Sequence, residues 1–144
     1  MLRLTARVCS QQIQFLGDGG LLGHVGGDDF VIVVPGPIRE EGLKKLCETF
    51  DQAKTALFSS ADLEAGSFTA RDRHGVETQT PIVTLSLSVV SGARLGDDFC
   101  PARLSKIAAS TKSMAKIHTA KTGKSGYVFE ASQSEVKKCE GREQ

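Results

Sequence analysis

Residues 21–34 read LLGHVGGDDFVIVV and determine how this part of the chain folds. Two apolar runs flank the pair Gly26-Gly27 and the adjacent carboxylates of Asp28 and Asp29. Because glycine readily adopts the positive φ angles of a tight turn, the pattern predicts a β-hairpin with both carboxylates at its turn. Oxygen ligands on a short turn suit Mg²⁺, and a Mg²⁺ with open positions commonly holds a nucleotide triphosphate. An ordinary hairpin with polar turn residues is the alternative.

Composition narrows the class of protein without choosing a function. The 144 residues, 40% of them apolar, are enough for one domain with its own core. A net charge of +1 without a concentrated basic surface argues against nucleic-acid binding. The longest wholly apolar run, Phe30 to Val34, is far too short to span a membrane, and no signal-peptide pattern opens the chain. We therefore expect a protein with no membrane and no nucleic-acid partner.

The four cysteines are widely scattered and form no C-x-x-C pair. This spacing disfavours both a zinc site and a disulfide framework, so we expect reduced thiols and a cytoplasmic location. Cys9 and Cys47 fall on apolar helix faces and are expected to be buried.

Periodicity predicts the remaining elements. Leu2, Ala6, Cys9 and Ile13 recur at helical spacing and predict an amphipathic first helix. A long helix is expected from Ile38 to about Phe58, with a buried face that comprises Leu43, Leu46, Cys47, Phe50, Ala53 and Leu57. Short strands are expected at 67–71, 76–80 and 127–129, and a half-buried strand at 83–89, with Val83, Leu85, Leu87 and Val89 facing inward.

A further helix is expected after Asp97 and Asp98, either of which could cap it. Its predicted buried residues are Leu104, Ile107, Ala108, Thr111, Met114 and Ala115. Together, the elements predict an α+β domain over residues 1–130, with helices on one face of a sheet, followed by a polar tail at 131–144.

Four stretches, in order along the chain, resemble the GGDEF family, whose active members condense two GTP molecules into cyclic di-GMP. The hairpin stretch GHVGGDDFVIVVPG is similar to the family's signature hairpin, here in the form GGDDF. LRLTARV at 2–8 resembles the family's second helix, and VTLSLSVV at 83–90 resembles its V-T-x-S-x-G-V strand. Ala108 with Ala115-Lys116 resembles the A-x-x-x-x-x-x-A-K helix. The hairpin sequence looks most like that of GGDEF domains in larger signalling proteins that also carry an EAL domain.

The resemblance implies a fold and a set of site residues. The fold would be ferredoxin-like, related to nucleotidyl cyclases, with a strand and helix ahead of the part present here. Asp29 would be the metal-binding, catalytic carboxylate, in a position where active members usually have glutamate. Gly26, Gly27 and Asp28 would complete the nucleotide-binding turn, and Lys116 would contact the triphosphate. The implied cofactor is Mg²⁺, bound weakly.

The same resemblance implies a function and partners. We expect a regulatory, nucleotide-binding GGDEF-type module of bacterial cyclic di-GMP signalling, with GTP or a related guanine nucleotide as its ligand. No position matches the metal-binding aspartate of the family's first strand or the residues that read guanine, so we expect no useful turnover from these 144 residues alone. An EAL or sensory domain in the same polypeptide and a homodimer are possible partners.

Two alternatives remain open at this point. The full-length gene product could be an active diguanylate cyclase whose upstream segment supplies the missing residues. Alternatively, the domain could serve only in dimerisation or docking, because an unpaired sheet edge invites strand addition.

Two other sequence features favour structural roles. Gly123-Lys124-Ser125 looks like the end of a P-loop, but the required first glycine would fall at His118, and a helix, not a strand, precedes it. The three histidines are dispersed, which disfavours a metal cluster.

Overall fold

The protein, described by a computed structural model over residues 1–71, 74–92 and 100–130, is an α+β protein. Its described strands form three two-stranded sheets. No described helix is both long and apolar enough to cross a membrane. The elements in chain order are α1 (Leu2–Leu16), β1 (Leu21–Gly26), β2 (Asp29–Val33), α2 (Glu40–Lys54), α3 (Ser60–Ala65), β3 (Ser67–Arg71), β4 (Glu77–Pro81), β5 (Ser86–Val89), α4 (Pro101–Thr122) and β6 (Gly126–Phe129).

The core is built around the helix pair α1 and α2. Its buried members from the two helices are Leu4, Val8, Cys9, Leu16, Leu43, Leu46 and Phe50. The helices lie close together at Gly42, where a Cβ atom would lie 2.2 Å from the carbonyl oxygen of Phe15. Only a residue without a side chain fits between the two backbones at that distance.

The buried faces of the helices differ in part from the predicted ones. In α1, Cys9 is buried as expected, but Leu2 is 45% exposed, and Leu4, Val8 and Leu16 form the rest of the buried apolar stripe. The prediction of Leu2 as a core residue was wrong because α1 carries apolar residues on two overlapping faces. Packing against α2 selects one of them.

The second predicted helix is shorter than expected. It spans Glu40–Lys54 and tightens into a 3₁₀ turn, Thr55–Leu57, so that Leu57 is 51% exposed and lies outside the core. The remainder of the expected stretch leads into α3, which the periodicity did not predict. Ser59 caps α3, since its hydroxyl accepts the backbone N–H of Asp62 and the Asp62 carboxylate accepts the N–H of Ser59.

Two of the sheets pack on the same helix pair. Leu22, Ile32 and Val34 of the β1–β2 segment pack against the core. Leu85, Leu87, Val89 and Tyr127 of the β5–β6 segment pack against the same core. Among the described residues, however, β2 pairs only with β1 and β5 only with β6. A cleft of about 440 Å³ lies just beyond the ends of β2 and β5 and is lined by Val34, Gly36, Pro37, Ser91 and Gly92.

The β5–β6 sheet is parallel and has helices on both faces. Leu87 faces the α1–α2 core, whereas the Ser86 hydroxyl lies 2.7 Å from the Thr119 hydroxyl of α4. The expectation of helices on one face only was therefore wrong for this sheet. The alternation of side chains along β5 explains the arrangement, because leucines point one way and serines the other. Regular pairing covers only Ser86–Val89, and Val83 is half-buried outside the core cluster.

The predicted buried face of α4 is confirmed at the centre of the helix and wrong at one position. Thr111 and Ala115 are buried as predicted, and Leu104, Ile107 and Ala108 are half-buried. Met114, in contrast, is 42% exposed. The expected caps Asp97 and Asp98 and the expected tail at 131–144 lie outside the described residues, as does Cys139. Of the described cysteines, Cys9 and Cys47 are buried as predicted and Cys100 is exposed.

Candidate functional site at the hairpin tip

The hairpin tip is shaped by two glycines and a bulge. Pairing runs from Leu21↔Val33 to His24↔Phe30 and then shifts by one residue to Gly26↔Asp29, which leaves Val25 as the extra residue. Gly26 and Gly27 have φ angles of +154° and +56°, values that residues with a Cβ atom rarely adopt. No other atom lies within 4 Å of where a Cβ atom would stand on either glycine, so the backbone angles, and not lack of space, call for glycine here.

His24 and Phe30 brace the turn from the strands below it. Their rings stack with centroids 4.6 Å apart, and His24 Nε2 donates a hydrogen bond to the Gly27 carbonyl at 3.0 Å. No structural role for His24 was evident from the sequence, although its position two residues before Gly26 places it at the last regular pair of the hairpin. These contacts tie the Gly27 carbonyl, which directly precedes Asp28, to the first strand of the hairpin.

The tip contacts α4 through charged side chains. Lys112 Nζ donates a hydrogen bond to Asp29 Oδ1 at 2.6 Å, joining residues that are 83 positions apart in sequence. Both side chains are partly exposed, Asp29 at 48% and Lys112 at 39%. Lys116 lies one helical turn further along α4 and is exposed. One carboxylate and two ammonium groups therefore converge where the hairpin meets α4.

The electrostatics of Asp29 reflect this arrangement. The hydrogen bond from Lys112 is the main reason that the pKa of the Asp29 carboxyl is lowered; desolvation opposes it, and the charges of Lys112 and Lys116 add to the lowering. Asp29 is thus an anion at neutral pH.

The structure brings together some of the predicted site residues. Lys116 lies one turn of α4 beyond Lys112, the residue that contacts Asp29, and Gly26 and Gly27 form the turn beside this contact. Asp28 is exposed at the turn and makes no hydrogen bond or ion pair with a described residue. Lys112, absent from the predicted set, makes the direct contact with Asp29. Its spacing of four residues from Lys116 put both on one helix face, but the sequence could not show which lysine would meet the hairpin.

Few side chains at the tip could hold a metal ion. Among the described residues there is no group of three or more His, Cys, Asp or Glu side chains placed to share one ion. Asp28 and Asp29 are the carboxylates available at the turn, and one oxygen of Asp29 is already bound by an ammonium group. As arranged, the tip fits a group with several negative oxygens near α4 better than it fits a bare cation at Asp29.

The segment that looks like part of a P-loop has a structural role in the fold. The Ser125 hydroxyl and backbone N–H both donate to Asp51, at 2.6 and 3.0 Å, and the same hydroxyl accepts the Leu85 N–H at 2.8 Å. Asp51 also accepts a hydrogen bond from the buried Lys54 at 2.7 Å. These contacts tie α2 to the turn between α4 and β6, so Ser125 is committed to packing.

Comparisons with family models, with curated proteins and with solved structures found no match for this chain.

Proposed function

We propose that this chain is a GGDEF-type domain of bacterial cyclic di-GMP signalling that acts as a regulatory module binding a guanine nucleotide at the junction of the hairpin tip and α4. The observation that carries the proposal is the convergence of Asp29 with Lys112 and Lys116. In the resembled family, the corresponding hairpin carboxylate and helix lysine serve one triphosphate. Here Asp29 contacts Lys112, one turn before Lys116 on the same helix, and this supports the same use of the site.

The chemistry of the junction favours binding over turnover. The exposed ammonium group of Lys116 can pair with phosphate oxygens, and exposed glycine backbone at the turn allows a ligand to approach closely. Asp29 is one methylene shorter than the glutamate usual in active members, and its Oδ1 is engaged by Lys112. A displacement of about 1 Å at a catalytic group can lower a rate roughly a hundredfold. We therefore expect nucleotide binding without useful production of cyclic di-GMP.

Calorimetric titration with GTP tests the proposal. We expect weak binding that requires Mg²⁺, because the carboxylates of Asp28 and Asp29 repel a triphosphate unless a cation intervenes. In Asp29→Ala, the dependence on Mg²⁺ should disappear. Glu64→Ala, which removes an exposed carboxylate from α3, is the matched control and should behave as wild type. Absence of GTP binding with and without Mg²⁺, or production of cyclic di-GMP at the rate of an intact cyclase, would overturn the proposal.

A second candidate function, docking of another strand or chain, is favoured by the unpaired edges of the sheets. Within the described residues, β2 and β5 each have one edge without a partner strand. The face of the hairpin turned away from the core exposes Leu21, Val25, Val31 and Val33 at 68%, 72%, 48% and 57%. Exposed edges and apolar faces of this kind invite strand addition or self-association.

Light scattering separates this candidate from a monomeric nucleotide-binding module. If the hairpin mediates self-association, the wild-type chain should form dimers at tens of micromolar, and Val33→Lys should return it to monomer because a charge blocks the apolar face. Ile117→Lys, at a 56% exposed position of α4, is the control and should leave the mass unchanged. A wild-type chain that stays monomeric over this range counts against docking between copies.

A further inference from the structure

The contact between Asp29 and Lys112 places a positive charge where the resembled family would place a metal ion. The ammonium nitrogen of Lys112 lies 2.6 Å from Asp29 Oδ1, a short distance for a charge-assisted hydrogen bond. A Mg²⁺ bound to the same carboxylate would sit about 2.1 Å from its oxygen. The two cations would repel one another and compete for the same carboxylate, so a divalent ion binds Asp29 only weakly while Lys112 stays in place.

The local structure of α4 keeps Lys112 at this position. Its neighbour Thr111 is buried, and the Thr111 hydroxyl bonds back to the Ile107 carbonyl at 2.9 Å. Ala115, one turn later, has no exposed surface. These two residues anchor the inward face of α4, and Lys112 therefore emerges at the edge of that face, directed at the hairpin tip. Lys116 projects from the next turn, and its side chain makes no hydrogen bond or ion pair with a described residue.

We propose that Lys112 is an internal competitor of divalent metal ions at Asp29. Its ammonium group neutralises the carboxylate and must be displaced before a metal can bind there. Lys112 thereby sets the weak metal affinity of the site, and it differs in role from Lys116, which remains available to an anionic ligand. The inference builds on the proposed nucleotide site but concerns the metal affinity of Asp29, which can be measured without any nucleotide.

A titration with Mn²⁺ alone tests the proposal. Mn²⁺ is a paramagnetic substitute for Mg²⁺ that broadens the NMR signals of nearby amide protons, here those of Gly26 and Gly27. We expect Lys112→Met to bind Mn²⁺ at the hairpin tip about tenfold more tightly than wild type, since a direct ion pair with Asp29 has been removed. Lys106→Met removes an equal charge from an exposed position elsewhere on α4 and should change the affinity less than about twofold.

A second pair of variants keeps the test decisive. Lys112→Gln keeps a polar side chain without the charge and should reproduce the gain if Lys112→Met does not fold. Adding Asp29→Asn to Lys112→Met should abolish the gain, because the carboxylate that the metal would use is then gone. Equal Mn²⁺ affinity in the Lys112 and Lys106 variants, or a gain that survives Asp29→Asn, would overturn the inference. Failure of GTP to bind would instead remove the proposed function and leave the Mn²⁺ result standing.

Discussion

The α1–α2 helix pair and the junction of the hairpin tip with α4 are held together by different kinds of contact. In the helix pair, apolar side chains are buried, and two backbones meet at Gly42 without room for a methyl group. At the junction, the contact is a partly exposed ion pair between Asp29 and Lys112. Close packing tolerates little change, whereas exposed ion pairs contribute little to stability. We therefore expect substitutions in the first region to affect folding and those in the second to affect ligands.

The largest effect is expected from Gly42→Ala. The added methyl group would stand 2.2 Å from the Phe15 carbonyl oxygen, and backbone cannot move aside as a flexible side chain can. We expect a loss of about 2–3 kcal/mol in the free energy of unfolding, even after the better helix propensity of alanine is counted. Denaturant unfolding followed by circular dichroism measures it.

Gly23→Ala is the matched control for this prediction. The nearest atom to its added methyl group would be the Val31 carbonyl oxygen at 3.9 Å, which is ordinary contact. Its stability should stay within about 0.5 kcal/mol of wild type. If Gly42→Ala and Gly23→Ala unfold at the same denaturant concentration, the helices do not meet as closely as described.

A smaller loss of stability is expected from Asp51→Ala, which removes a polar contact between α2 and the turn that precedes β6. The carboxylate of Asp51 accepts hydrogen bonds from Lys54 and from both the hydroxyl and N–H of Ser125. Its removal leaves the Lys54 ammonium, only 8% exposed, without this partner. We expect a loss of about 2 kcal/mol in the free energy of unfolding. Glu48→Ala, one turn earlier on the exposed face of α2, should change stability by less than about 0.5 kcal/mol.

The lowered pKa of Asp51 predicts that the stability of the protein depends on pH in the acid range. Burial raises the pKa of the Asp51 carboxyl, but the hydrogen bonds from Lys54 and Ser125, together with the Lys54 charge, outweigh it and hold the pKa below its ordinary value. When a carboxyl group has a lower pKa in the folded state than in the unfolded state, its ionisation stabilises the protein at pH values above the unfolded pKa, about 3.9. This stabilisation is lost as pH falls through the folded pKa. The difference in stability between wild type and Asp51→Asn should therefore shrink as pH falls from about 7 to about 3. If the difference in stability between the two proteins stays constant over this pH range, ionisation of Asp51 does not stabilise the fold.

The smallest effect on stability is expected from Asp29→Ala. Its carboxylate lies at an exposed hairpin tip and fills no part of the core. We expect the midpoint of thermal unfolding to match that of wild type, while metal or nucleotide binding changes. A clear fall in this midpoint would mean that the contact with Lys112 helps to hold α4 on the hairpin, and the contrast between the two regions would then be weaker than described.

The features that sequence predicted well are those encoded by neighbouring residues. The hairpin at 21–34 follows from a glycine pair between apolar runs, and the inward face of β5 follows from its alternating leucines and serines. The contact of Asp29 with Lys112 depends on how α4 lies over the sheet, and spacing alone does not choose among the several lysines of that helix. The face of α1 was ambiguous for a similar reason, because apolar residues occur on more than one of its sides.

The separate pairing of the two core-facing sheets has a consequence for local opening of the molecule. The β1–β2 hairpin and the β5–β6 pair share helices α1 and α2 but, within the described residues, form no ladder with each other. The backbone amides of the hairpin can therefore exchange with deuterium through an opening that leaves β5–β6 intact. We expect the exchange rates of the hairpin amides to depend less steeply on denaturant concentration than those of the β5–β6 amides. The two sheets would then be cooperative units of unequal size that fold around one pair of helices.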